Sequence, residues 1–399
     1  MNQTNADFET ILVLQGGGSL GAYECGVYKT LYKYGIKFDI LAGSSIGAVN
    51  ASIITAAQNS NKNAADILES FWLTLAENIS PFEFNFELPF LSFDKKMALW
   101  SSMYSMFYGN SKAFVPKWLK PDSRFYFDPS SWTYLYDLAP LKKTLKDYID
   151  FKSLGKIQNS EKNGFNSKTK NKNTKNKLNW ARLIITATDI QKGEPVIFDN
   201  LHTDIDGDMI LASAGFPFYG LRWIIKDERY LWDGSLLTNT PMMDVMRASP
   251  IRNKKFYIVD VFPRQQKEIP TNMIEVWHRA RDIIFMDKTD KNIEMIKISE
   301  KYLNLLKKMY GIVNFKSAKI DEDTKDMLNE LGREYNELTQ KHGAAIIDVT
   351  RIGRKERDSH YLFEDADFSK YRIKKLIEEG EKDAENKIRE ADGNKFQNK

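Results

Sequence analysis

The sequence predicts an α/β fold: a doubly wound, mostly parallel sheet with helices on both faces, followed by a mainly helical C-terminal extension. Short apolar runs alternate with stretches of helical periodicity up to Pro263, the pattern of β-α units around a sheet buried on both faces. Beyond Pro270 the periodicity is almost wholly helical. Near the N-terminus, two glycine-rich turns sit where a strand hands over to a helix.

The first unit opens with Ile11–Leu14, a run suited to a buried strand, and continues through Gly16-Gly17-Gly18. A helix is predicted from about Ser19 to Tyr34, with Leu20, Val27, Leu31 and Tyr34 on one face and Gly35 as its stop. Phe38–Ala42 forms the second strand, and Gly43-Ser44-Ser45-Ile46-Gly47 follows at once. The next helix gathers Ile46, Val49, Ile53, Ile54 and Ala57 on one face, and Ala64–Asn78 reads as another.

Residues 80–140 change character, with many aromatics and methionines and few charges, and a helix near Lys96–Tyr108. This insertion suits either an ordinary core helix with decorated loops or an adaptable lid over an acyl-chain pocket. Lys156–Lys177 holds seven lysines, six asparagines and a single acid, Glu161. The stretch 156–178 cannot bury apolar area and is expected to be a disordered surface loop, either a tolerated insertion or a tether to anionic headgroups.

Regular structure resumes with a strand at Arg182–Ala187, a hairpin partner at Val196–Phe198, a short helix at Asp208–Ala214 and a strand at Lys255–Val261. The later helices are expected at Met273–Asp287, Asn292–Tyr310, Asp321–Gln340 and Ser369–Arg389, with one more strand at Ala344–Ile352. The division is thus a domain over 1–270 and an extension over 271–399.

A chain of 399 residues that is 42% hydrophobic and 13% aromatic can bury a sizeable core. Its 58 basic and 54 acidic residues leave a net charge of +4, which carries no nucleic-acid signature. The single cysteine, Cys25, excludes an intramolecular disulfide and suits a small buried position. Met1–Thr10 lacks the basic and apolar regions of a Sec signal peptide, and no apolar run reaches transmembrane length. The expected location is cytoplasmic or peripheral at a membrane, with secretion by another route left open.

Gly43-x-Ser45-x-Gly47 between a strand and a helix is the nucleophile-elbow pattern. The turn is tight enough to demand small residues two places either side of the serine. The helix that starts right after Ser45 favours negative charge there, as an attacked carbonyl requires. Gly16-x-Gly18-x-x-Gly21 has two readings. It matches a dinucleotide fingerprint with Asp39 as the ribose acid, but Asp39 lies near the start of its strand rather than the end. The better reading lets the Gly16–Gly18 N–H groups face Ser45 as an oxyanion hole.

A serine hydroxyl needs a base. His278, His342 and His360 satisfy the order serine, acid, histidine of a conventional triad, but none has a marking context, and His202 comes too early. The alternative is Asp233, followed by Gly234, in Trp232-Asp233-Gly234-Ser235. A buried carboxylate can serve as base if its pKa rises toward the working pH. From the residues alone, Asp-Gly is equally an ordinary hairpin turn.

Together, Gly16-Gly17-Gly18-Ser19-Leu20-Gly21, Gly43-Ser44-Ser45-Ile46-Gly47 and Asp233-Gly234, in that order, resemble the patatin-like phospholipases. The flanks GAYECGVYKTL, ASAGFP and LLTNTP strengthen the likeness, which covers roughly Thr10–Pro263. The remainder is similar to a bacterial subfamily with an additional C-terminal region. The resemblance implies a patatin-like fold and a Ser45–Asp233 dyad, with Gly16, Gly17 and Gly18 at the oxyanion and Gly21, Gly43, Gly47 and Gly234 supporting the turns. It implies acyl-ester hydrolysis on phospholipids or lysophospholipids through an acyl-Ser45 intermediate, without metal or other cofactor. It further implies a lipid or membrane surface as partner and, for some relatives, an activating protein. Acyl transfer through the same acyl-Ser45, or lipid binding without turnover, remain the rival functions. Two positions depart from the pattern: Leu20 stands where a basic residue is common, which removes an anion-binding group, and Ser235 stands where Gly or Ala is common.

Overall fold

A computed structural model describes residues 8–76, 93–119, 132–156, 180–266, 269–286, 288–316, 322–355 and 364–397. The strands are β1 (Phe8–Leu14), β2 (Ile40–Ser44), β3 (Val115–Pro116), β4 (Tyr136–Asp137), β5 (Arg182–Asp189), β6 (Glu194–Asp199), β7 (Ile224–Lys226), β8 (Arg229–Asp233), β9 (Asn253–Asp260) and β10 (Ile346–Gly353). Eight of them form one sheet in the order β10-β9-β1-β2-β5-β8-β7, with β6 also paired to β5. β10, β9, β1, β2 and β5 run parallel, while β6 and β8 pair antiparallel with β5, and β7 antiparallel with β8. β3 and β4 make a separate two-stranded ribbon.

Alternation along the strands feeds two cores, as a sheet covered on both faces requires. Leu12, Leu14, Leu41, Leu183, Ile185, Tyr257 and Val259 point into the larger core. There they meet α1 (Gly21–Lys33), α2 (Ile46–Asn59), α3 (Ala64–Leu75) and α5 (Ala139–Tyr148), which comes after α4 (Phe93–Tyr108) in the chain. Their neighbours Ile11, Val13, Ile40, Ile184, Phe256 and Ile258 point the other way, against Met242, Val245 and Met246 of the helix Met242–Ala248. The sheet is therefore mixed but mostly parallel, wound with helices on both sides, and the chain beyond it is mainly helical.

The chain past residue 270 continues the same body. β10 adds to the sheet edge in parallel with β9. The helix Lys370–Gln397 lies along α1 and buries Ile373, Leu376, Ile377 and Ala384 in the larger core. The two helices approach at a glycine on each: a Cβ at Gly26 would lie 1.9 Å from the Ile377 carbonyl oxygen, and one at Gly380 would lie 2.1 Å from that of Tyr23. Tyr23 Oη donates to Asp383 at 3.1 Å, and Lys29 bridges Glu69 and Glu381 at 2.8 and 2.6 Å.

Several expectations shift. The second strand is Ile40–Ser44 rather than Phe38–Ala42, because Phe38 packs into the core before the strand begins. The hairpin β7–β8 was not foreseen, and its turn is Asp227-Glu228, both at positive φ (49° and 61°), instead of Asp233-Gly234. Of the aromatic insertion, residues 77–92 and 120–131 lie outside the described residues. So does the Lys/Asn-rich stretch 156–178 apart from Lys156. None of the described helices is long and apolar enough to cross a membrane.

The helix crossing gives a direct test. Gly26→Ala drives a methyl into a backbone carbonyl and is expected to cost about 1–3 kcal/mol or more in urea unfolding. Gly311→Ala is the control: beyond the helix's own backbone, no atom of the described residues lies within 4 Å of its Cβ position. It should stabilise the helix Thr289–Lys316 by roughly 0.5–1 kcal/mol.

Candidate active site

β2 ends at Ser44 and α2 begins at Ile46, leaving Ser45 alone on the corner. Its backbone sits at φ 55°, ψ −129°, a region that a side-chain-bearing residue enters at a cost of about 1–3 kcal/mol. The surroundings enforce it. A Cβ at Gly43 would lie 2.3 Å from the Gly47 carbonyl carbon, and one at Gly47 would lie 2.4 Å from the Leu14 carbonyl oxygen. Only glycine fits either place. Ser44 Oγ shares a hydrogen bond with Thr186 Oγ1 at 2.6 Å and donates to the Thr238 carbonyl at 2.6 Å. The Ser45 N–H donates to Ser213 Oγ at 3.1 Å. Behind Ser45 the first turn of α2 supplies the positive end of its dipole.

Asp233 reaches the same place from the opposite direction along the same edge of β5, β6 holding the other edge. Because β8 runs antiparallel, its C-terminal residue Asp233 pairs with Ala187, while Ser44 at the end of β2 pairs with Thr186. The Asp233 carboxylate is fully buried. Oδ1 accepts from the Ser235 N–H at 2.8 Å and from Ser235 Oγ at 2.6 Å. Oδ2 is buried and forms no hydrogen bond with the described residues. Burial raises its pKa from the ordinary 3.8 to about 6, and the Ser235 and Ser45 hydroxyls with the Ser235 N–H pull part of the way back. The Ser45 hydroxyl is thus within electrostatic reach of the acid while Oδ2 stays without a formed hydrogen bond; such contacts tighten when substrate arrives.

The glycine loop closes a third side. Gly16 lies against Ser45, where a Cβ would approach the Ser45 Cβ to 2.8 Å. Its N–H donates to Asn239 Oδ1 at 2.9 Å, and Asn239 Nδ2 donates to the Phe285 carbonyl at 2.8 Å. The N–H groups of Gly17 and Gly18 meet no acceptor among the described residues. Gln15 anchors the loop: its side chain donates to the Phe285 carbonyl at 2.9 Å and accepts from the Val261 N–H at 2.9 Å. Glu24 lies beneath, accepting from the Gln15 N–H at 2.7 Å and from Asn50 Nδ2 at 2.8 Å, and burial pushes its carboxyl well up. Leu20 is wholly buried in the core.

Above these groups opens a cavity of about 380 Å³. Gly16, Gly17, Gly18, Ser45, Ser235 and Asn239 form its polar end. The rest is apolar, from Met106 and Phe114 of the aromatic insertion, Leu141 of α5, and Phe216. Residues past 270 complete the wall: Arg281, Phe285, Asp365, Ala366 and Phe368. Arg281 and Asp365 are the charged residues among them, and they neutralise each other in a buried network. Arg281 sits 2.9 Å from Asp282 and 3.6 Å from Asp365, and Glu364 pairs with Arg354 and Arg372. Those arginines hold Glu364 down at about 2 against the opposing effect of burial.

The structure brings Ser45, Asp233, Gly16, Gly17, Gly18 and Gly234 to one spot and leaves the described histidines elsewhere. His278 is buried beside Trp277, and neither it, His202 nor His342 lines the cavity; His360 lies outside the described residues. Asp39 accepts from the Thr10 N–H at 2.8 Å near the N-terminal ends of β1 and β2, away from the glycine loop, so the dinucleotide reading finds no acid in place. Among the described residues no group of three or more His, Cys, Asp or Glu side chains is arranged to hold a metal ion. Sequence reasoning missed Asn239, Ser213, Gln15 and the C-terminal wall. Asn239-Thr240-Pro241 was visible as a motif flank without a role.

The family model of patatin-like phospholipases matches residues 12–246, more than half of the chain. The chain therefore belongs to the patatin-like phospholipase family, whose activity is lipid acyl hydrolysis. Among solved structures, VipD from Legionella pneumophila is similar over 94% of this chain and 67% of its own, with 12% identity and a TM-score of 0.30. No protein of curated function matches.

The raised acid sets a pH signature. Native Asp233 titrates near 6 and unfolded Asp233 near its ordinary 3.8. Between those values the native chain binds the extra proton, so the stability this group gives is fully present below about pH 4 and lost as pH rises through about 6. Asp233→Asn should therefore be more stable than the parent by up to about 3 kcal/mol near pH 8. The gap should close toward pH 4, as read from urea unfolding at a series of pH values.

Proposed function

We propose that this patatin-like phospholipase hydrolyses fatty-acyl esters of phospholipids or lysophospholipids through a Ser45–Asp233 dyad. The observation that carries the reading is the buried Asp233 carboxylate, with Oδ2 lacking a hydrogen bond, beside a serine held on a strained elbow at the polar end of an apolar cavity. As Ser45 Oγ attacks the acyl carbonyl carbon, its proton passes to Asp233 Oδ2. The carbonyl π pair moves onto oxygen, where the loop Gly16–Gly18 meets it. Gly17 and Gly18 supply the N–H groups, while Gly16, whose own N–H is held by Asn239, keeps the loop against Ser45. Collapse expels the alcohol, which takes the proton from Asp233 and leaves acyl-Ser45. Water then attacks the ester, giving its proton to Asp233, and the second collapse releases the fatty acid and restores the Ser45 hydroxyl.

The apolar walls suit the acyl chain, and a volume of about 380 Å³ falls at the lower end of small-molecule pockets, which fits one chain. Phe218, 81% exposed, lines the cavity, and the exposed Phe107 and Tyr108 follow the lining residue Met106. Exposed aromatic rings beside an opening suit the water–lipid boundary and support a membrane or micelle surface as partner.

A fluorophosphonate probe tests the dyad without knowledge of the preferred lipid. Labelling of the parent on Ser45 is expected, with Ser45→Ala unlabelled and Asp233→Asn slowed roughly 10³-fold or more. Equal labelling of the parent and Ser45→Ala would overturn the assignment. Hydrolysis of lysophospholipid micelles should follow the same ranking. Because Asp233 must be ionised to accept the proton, kcat/KM should rise with pH through about 6.

A further inference from the structure

We infer that the Ser235 hydroxyl is a positioning residue: it ties Asp233 Oδ1 and so leaves Oδ2 as the oxygen that receives the Ser45 proton. This rests on the dyad reading above. The Ser235 hydroxyl has a definite partner. Ser235 Oγ donates to Asp233 Oδ1 at 2.6 Å, and the Ser235 N–H donates to the same oxygen at 2.8 Å. Asp233 caps the short turn Gly234–Leu236 through that oxygen. Two donors on one oxygen fix the rotation of the carboxylate. Oδ2 is then the oxygen with no hydrogen bond, on an acid that is otherwise wholly buried. Ser235 also lines the cavity, so it sits between the acid and the substrate space.

The surroundings of Asp233 make the Ser235 hydroxyl unusually influential. β5 contributes the Thr188 hydroxyl, spent on the Asp233 carbonyl at 2.9 Å, and the Thr186 hydroxyl, spent on Ser44. The segment after the helix Gly207–Ala214 contributes the Gly215 carbonyl, which accepts the Asp233 N–H at 3.2 Å. From α2 and its elbow comes only the Ser45 hydroxyl. No charged group contributes to the acid's pKa, and the Ser235 side chain is the strongest influence opposing burial. A hydroxyl donating to a carboxylate at this length is a charge-assisted bond that favours the ionised form. Ser235 therefore keeps Asp233 ionised at lower pH than burial alone would permit and widens the active range on the acid side.

The test follows the rate of fluorophosphonate labelling against pH for the parent, Ser235→Ala and Ser235→Thr. Ser235→Ala keeps the N–H donor and loses the hydroxyl. Its acid limb should move up by about one pH unit, a roughly tenfold loss well below the limb that shrinks as pH rises. Ser235→Thr, which restores a hydroxyl, should bring the limb back. A uniform loss at every pH, or a limb that stays in place, would overturn the inference and leave Ser235 as turn packing. A second readout is independent of turnover. The pH at which the Asp233→Asn stability difference levels off should also rise, and its plateau should grow, when Ser235→Ala is the background. If the parent does not label at all, the dyad reading falls, and this stability profile still decides whether the hydroxyl holds the acid.

Discussion

The site hangs on the middle of β5. β2 and β8 lie end to end along one edge of that strand, with β6 along the other, so two strands running in opposite directions end opposite adjacent β5 residues, Thr186 and Ala187. Thr186 binds the hydroxyl beside Ser45, and Thr188 binds the main chain of Asp233. The spacing between serine and acid is therefore a property of a sheet, not of two loops. A strand embedded between two cores is among the stiffest rulers a protein can offer.

That stiffness is needed because the groups it holds are unfavourable. Ser45 sits in a backbone region that opposes folding, and Asp233 is an acid kept from water with no cation to offset it. The glycines at 43 and 47 remove the alternatives open to the turn, and the buried strands on both sides absorb the strain. The contrast with Glu364 is instructive. Both acids are buried, yet three arginines around Glu364 drive it strongly acidic, while Asp233 has only hydroxyls and an N–H and drifts toward neutrality. One environment keeps a buried anion, and the other leaves a buried acid that titrates near 6.

Much of this was legible where sterics limit residue choice. The elbow and the glycine loop leave a mark in the sequence because no other residue fits Gly43 or Gly47. The alternating strands were legible because both faces of β1, β2, β5 and β9 are covered. Asp233 was harder to read from the residues alone, since its role depends on a strand turned back by Asp227-Glu228, a turn with no glycine to announce it. Gln15 and Asn239 were out of reach for a different reason. Each acts through contacts more than 200 residues away in sequence, and an amide side chain has no spacing that betrays such a partner. The strand near residue 346 was visible as a strand, but nothing in its pattern says that it docks beside β9.

The position of β1 has a consequence for how the protein is made. β1 is paired on one side with β2, a few dozen residues later, and on the other with β9, some 245 residues later. Its following helix waits longer still, for the close approach of Gly380. A nascent chain on the ribosome thus carries Ser45 for most of its synthesis beside a sheet without its neighbour and a cavity without its far wall. The long-range pairing that completes both is the slow kind, set by loop closure rather than by local propensity. The cavity beside Ser45 is complete only once residues up to Phe368 have emerged. Synthesis is therefore nearly finished before the pocket beside Ser45 is whole.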